Sequence, residues 1–294
     1  MKPLRALLAA ALLATLPAAA AERLPPPDIQ APVYATRVDS TIEIGPDGSV
    51  VGYEPITELK DPLASRVRAI AEGFRFEPVL VDGKPVIART RMRMHLVAEP
   101  VGDGDLQLKV EHVGFPEGEG EASPVADRFA RGIAKRTPIK YPEEALYMGL
   151  SGRVMVAFRF GPDGKVLEAI PRESALYGVK GREASLAKAL AIFERAAVQA
   201  VRRWTIDVQV PDGAVPRPED LTASINIEYL IERHPQPRPG LWLHESRSRE
   251  RPLPWLDPML AGNLPDMADV DDGIHFGAAP ARFRLLTPIG GIAL

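Results

Sequence analysis

The tetrapeptide Gly-Pro-Asp-Gly occurs at Gly45–Gly48 and again at Gly161–Gly164, each time between two runs of alternating apolar residues. Thr41-Ile42-Glu43-Ile44 leads into the first copy and Ser49-Val50-Val51 leaves it. Val154–Phe160 and Lys165-Val166-Leu167 flank the second. Proline presets φ for a turn and Asp-Gly tolerates a tight backbone, so each copy predicts a β-hairpin. A second landmark also recurs. Phe74-Arg75-Phe76-Glu77 followed by Asp82-Gly83 matches Trp204-Thr205-Ile206-Asp207 followed by Asp212-Gly213, with more chain between the landmarks in the later copy. The pattern is a divergent internal duplication, and it restricts the chain to two related units in tandem.

The N-terminus reads as an export signal spanning residues 1–21. Lys2 and Arg5 precede the apolar stretch Ala6–Leu16, and Ala19-Ala20-Ala21 offers small residues for cleavage. The stretch is shorter than the roughly 20 residues of a membrane-spanning helix. Losing Lys2 and Arg5 leaves a chain more acidic than its formal charge of −3, with no electrostatic case for binding nucleic acid or anionic lipid. There is no cysteine, so an exported product has no disulfides and stands on packing alone. A soluble periplasmic protein is expected. Retention of the signal as an anchor would place it on the periplasmic side of the inner membrane.

Residues 22–33 form a Pro-rich leader carrying Leu24-Pro25-Pro26-Pro27. The first unit, residues 34–99, predicts strands at 37–44 and 49–56 and a helix from Pro62 to Gly73. Leu63, Val67, Ile70 and Phe74 line one face of that helix. A strand ending in alternating Met92, Met94 and Leu96 follows. Arg89, Arg91 and Arg93 on that strand would blunt an exposed edge. Residues 100–136 form a linker with one possible short strand at Leu106–Val110 and a Gly/Glu stretch at Glu117–Glu121. The second unit, residues 137–232, predicts a short helix from Pro142, strands at 153–160 and 165–170, and a main helix over Ser185–Arg203. Its last strand is placed at Thr222–Ile231. Residues 233–294 read as a Pro/Arg-rich extension that wraps the second unit or stays mobile.

Catalytic motifs are scarce. The five histidines share no metal-ligand spacing, and there is no nucleophile elbow, phosphate loop or paired-histidine zinc motif. Asp269–Gly273 resembles a calcium loop but has Ala279 where the bidentate glutamate belongs. Asp47 and Asp163 suit turn chemistry, Glu143-Glu144 a helix start, and Trp204 a core anchor at a helix end. No catalytic activity, metal or cofactor is expected. An open sheet edge remains, and such an edge can take up an extended peptide through its main chain.

The second unit resembles the C-terminal domain of TonB, the periplasmic energy transducer of Gram-negative bacteria. The residues that carry the likeness are Tyr141-Pro142, Ala145, Gly149, Gly152, Val154–Phe158, Asp163-Gly164-Lys165-Val166 and Ala196–Trp204. The first unit looks like a degenerate copy without the Tyr-Pro helix. The resemblance implies an α+β fold of two small domains, each an antiparallel three-stranded sheet packed against one or two helices. It implies that outer-membrane TonB-dependent transporters, or other envelope proteins, bind by strand addition at the final strand. The positions carried over are Lys140, Tyr141 and Pro142 with Ser224, Ile225, Asn226, Ile227, Glu228 and Tyr229.

A TonB-type rod also needs a membrane helix and a long spacer. A leader of about 12 residues spans at most roughly 40 Å. An atypical anchored transducer, coupled to an inner-membrane motor complex, is therefore the alternative only if the N-terminus stays uncleaved. A structural envelope protein with no free edge is the other.

Overall fold

The computed structural model describes residues 24–102, 105–116, 130–210, 212–262, 264, 267, 274–277 and 283–289. The signal segment, the Glu117–Glu121 stretch and the Asp269–Gly273 loop lie outside these residues. In chain order the elements are β1 (Val33–Ile44), β2 (Val50–Pro55), α1 (Leu63–Glu72), β3 (Leu80–Val81), β4 (Lys84–Pro85), β5 (Ala88–Gly102) and β6 (Asp105–Gly114). There follow β7 (Ala130–Lys135), α2 (Glu143–Tyr147), β8 (Gly152–Phe160), β9 (Val166–Tyr177), α3 (Glu183–Val201) and β10 (Thr205–Val208). The chain ends with β11 (Thr222–Tyr229), β12 (Leu243–Arg247), α4 (Pro258–Ala261) and β13 (Ile274–Phe276).

The expected pair of small three-stranded α+β domains is not what forms. The principal strands join one nine-stranded antiparallel sheet in the order β13-β11-β8-β9-β12-β1-β5-β6, with β2 paired to β1 as the ninth strand. The reason lies in the tail. β12 pairs with the end of β9 through Glu245↔Tyr177 and Arg247↔Ala175, and with the start of β1 through Val33↔Glu245 and Ala35↔Leu243. One tail strand thereby satisfies two edges that the repeats would otherwise leave open. The leader extends this seam. Ile29 bridges Ser248, and the Gln30 amide donates to the Arg247 carbonyl at 2.9 Å.

Within the sheet each repeat keeps its hairpin, helix and returning strand. The Gly48 amide closes the first turn on the Gly45 carbonyl and the Gly164 amide closes the second on Gly161, both at 2.9 Å. Gly48 and Gly164 adopt φ of 80° and 77°, the left-handed bulge position that favours glycine. Asp47 and Asp163 accept the amides of Ser49 and Lys165, which settles their role as turn residues.

Helices α1 and α3 lie on the same face of the sheet, over two separate cores. Val67, Ala71, Phe74, Met92 and Met94 fill the first. Leu190, Phe193, Val154, Phe158 and Trp204 fill the second, with the Trp204 indole donating to the Thr137 carbonyl at 2.9 Å. The tail closes the molecule at both ends. Leu253, Leu256 and Leu264 cover Ala157 on the opposite face, whereas Phe283 enters the core of the first repeat.

Of the arginines of β5, Arg89 and Arg91 are exposed on the stretch that β6 leaves unpaired, whereas Arg93 does not guard an edge. Arg93 is buried and donates to Asp39 at 2.9 Å, and Arg89 pairs with Glu54 at 2.6 Å. From Arg93 onward β5 is an interior strand, because the short strand expected at Leu106–Val110 extends to all of β6 and pairs along it.

Candidate functional site

Register divides the residues expected to bind peptide into two sets. β11 pairs with β8 from Thr222↔Arg159 to Tyr229↔Gly152 without a bulge. Side chains alternate across a strand. Ile225, Ile227 and Tyr229 therefore enter the core under α3, whereas Ser224, Asn226 and Glu228 occupy the other face. Tyr229 stacks on Phe193 with centroids 4.8 Å apart. Tyr141 meets both rings edge-on at 5.7 and 6.0 Å, and its hydroxyl donates to the Leu150 carbonyl. Burial raises the pKa of Tyr229 far above the usual phenol range and also raises that of Tyr141. Tyr141 thus joins the segment before α2 to the core. Pro142 caps α2 in an extended conformation, and Lys140 is exposed.

The outer edge of β11 is not bare. β13 adds to it as an antiparallel strand through Ala223↔Phe276, Ser224↔His275 and Ile225↔Ile274. The Gly277 amide donates to the Thr222 carbonyl at 2.7 Å, which fixes the phase of the strand. Backbone groups of residues 222, 224, 226 and 228 aim outward, and those of residues 223, 225, 227 and 229 aim at β8.

A second constellation lies across the seam, on the face away from the helices. His95 of β5, Glu111 of β6, Glu245 and Arg247 of β12, Arg153 of β8 and Glu228 of β11 come from five strands and both repeats. Glu111 sits at the bulge where β5 and β6 slip register. Its carboxylate takes His95 Nδ1 at 2.9 Å and Arg247 Nη1 at 2.6 Å. Arg247 Nε donates to Glu245 at 2.6 Å, and Arg153 Nη2 approaches the same carboxylate at 3.5 Å. Burial alone would raise the carboxyl pKa of Glu111; its bonds to His95 and Arg247 outweigh that and hold it at about 2. Burial acts likewise on Glu245, where Arg247 and Arg153 bring the value to about 2.

Sequence reasoning missed this cluster. Its centre is β12, Leu243-His244-Glu245-Ser246-Arg247, whose alternating charges look like a solvated segment. The one available signal was the acid–base alternation of Glu245 and Arg247, which has a strand's period of two.

Above the cluster, the turn at residues 237–241 encloses a cavity of about 270 Å³ against β1, β5, β8 and β11. Among the described residues no group of three or more His, Asp or Glu side chains is placed to hold a metal ion. No helix among them is long and apolar enough to cross a membrane. No known protein family, no curated protein and no solved structure matches this chain.

Proposed function

We propose that the protein is a non-enzymatic envelope protein of the periplasm that binds an extended peptide segment by strand addition to β11. The observation that carries this reading is β13. A segment of three residues, far along the chain from β11, already adds to that edge in antiparallel register. The edge is thus competent for main-chain pairing, and a longer peptide that makes more ladder bonds would replace a short internal occupant. The ligand class implied by the TonB-like residues is the N-terminal or plug segment of an outer-membrane transporter, or a similar stretch of another envelope protein. Selectivity would fall to side chains other than Ile225, Ile227 and Tyr229, which are committed to the core.

The test is a titration of the isotope-labelled full chain with plug-region peptides, followed by amide shifts. Strand exchange predicts coupled shifts at Thr222–Tyr229 and Ile274–Phe276. A folded protein without such shifts would favour a structural envelope role, in which β13 is a permanent cover. Sequencing the mature N-terminus separates the exported form from an anchored transducer: Glu22 at the start excludes the anchor.

A further inference from the structure

The seam cavity has guanidinium groups and carboxylates in its wall. Arg153 and Arg238 face it with Glu228 and Glu245, and Arg37 lines it while paired with Asp39 at 3.2 Å. Glu245 is already held by Arg247 at 2.6 Å, and Glu228 accepts from the Tyr177 hydroxyl at 3.3 Å. Arg153 is the buried member, with 8% of its surface exposed. Its two terminal nitrogens reach the Met267 carbonyl at 3.3 Å and Glu245 at 3.5 Å, both long for charge-assisted bonds. Among the described residues its Nε–H has no acceptor. A buried guanidinium donor without an acceptor is costly, and a cavity beside it gives that donor somewhere to point.

The rest of the wall sets the ligand's size and character. Leu241, Leu243 and Met267 supply apolar surface beside the arginines. The volume equals that of roughly nine water molecules in the liquid, enough for a short-chain acid. The turn carrying Arg238 is pinned over β1, where the Gly240 amide donates to the Arg37 carbonyl at 2.9 Å. Arg238 itself is exposed at the mouth.

We propose that this cavity binds a small organic carboxylate, gripped between the Arg153 guanidinium at its base and Arg238 at its mouth. The carboxylate would supply the acceptor that the Arg153 Nε–H lacks among the described residues. The aliphatic part lies against Leu241, Leu243 and Met267. The inference does not rest on strand addition at β11, although Asn226 and Glu228 of that strand line the cavity, and it requires no partner protein.

The experiment is calorimetric titration of the full chain with succinate, with sodium chloride at the same ionic strength as the control. Saturable binding with one site per chain is expected. Arg238→Gln should weaken it about tenfold, the scale of one lost charge-assisted contact. That variant should fold normally, because the Arg238 side chain is exposed. Arg153→Lys keeps a positive charge beside Glu245 while removing the Nε–H, and it should also weaken binding. Absence of saturable succinate binding to the wild-type chain overturns the proposal, as does an affinity unchanged in both variants.

Discussion

The Phe76 amide donates to the Gly48 carbonyl at 2.8 Å, and Ile206 donates to Gly164 in the second repeat at the same 2.8 Å. The segment leaving each helix is thus fastened to the turn of its own hairpin. This close approach leaves no room at the two glycines: a Cβ on Gly48 would lie inside van der Waals contact with the Phe76 carbonyl oxygen, and one on Gly164 would meet that of Ile206. Gly48→Ala and Gly164→Ala should each cost about 3 kcal/mol, combining left-handed strain with a backbone clash. Gly213 has φ of 77° with open space around it, so Gly213→Ala should cost only about 1 kcal/mol. Urea midpoints of the three variants test this. Equal losses at all three would mean that the clash is relieved by movement of the strand.

Those two turns were legible because Gly-Pro-Asp-Gly is a local device, whose meaning does not depend on distant chain. The helices were legible for the same reason, through the apolar stripes from Leu63 to Phe74 and from Ala189 to Trp204. What could not be read locally was the assembly of the sheet. β12 has charged residues at inward positions, and its burial makes sense only once Glu111 and Arg153 stand opposite. Glu194 poses the same problem on α3, where helical periodicity marks a glutamate as solvated. The residues expected to bind peptide at β11 were placed on a true strand, but the occupant of its edge comes from the tail.

The seam should respond to acid. Glu111 and Glu245 have folded values of about 2 against an ordinary 4.5. A depressed carboxyl stabilises the folded state fully above its unfolded pKa, and that stabilisation disappears as pH falls through the folded value. Stability should therefore decline from about pH 4.5 toward pH 2. The two groups share Arg247 and titrate as a coupled pair. Glu111→Gln removes one of them, so its urea midpoint should fall less steeply over that window than the wild type's. Parallel curves would show that Glu111 contributes nothing to the acid limb.

Two arginines near the end of the seam should differ sharply. Arg251 grips Glu194 through both terminal nitrogens at 3.0 Å, and Ser174 Oγ donates to the same carboxylate at 2.6 Å. Glu194 is only 1% exposed, so Arg251→Ala leaves a buried carboxylate with a single hydroxyl partner. The expected loss is about 3–5 kcal/mol. Arg249 pairs with Asp28 at 3.2 Å, but both side chains are well exposed, at 64% and 68%. Water and salt screen such a pair, so Arg249→Ala should change stability by less than about 1 kcal/mol. Denaturant titration of both variants distinguishes a buried anchor of the tail from a surface contact.

Proline substitutions along β11 read out the phase of the strand. Ile227 aims its N–H at β8, opposite Val154, in the interior of the sheet. Ile227→Pro removes a ladder bond between two repeat strands and should cost about 3 kcal/mol or more. Ser224 aims its N–H the other way, toward His275 of β13. Ser224→Pro should leave the β8 ladder intact and release only the tail strand, at a cost nearer 1 kcal/mol. Hydrogen exchange separates the two. In Ser224→Pro, faster exchange should be confined to Ile274–Gly277, whereas in Ile227→Pro it should spread into β8. Exchange that spreads into β8 for both would show that β13 is an integral part of the sheet, and strand exchange at this edge would then be untenable.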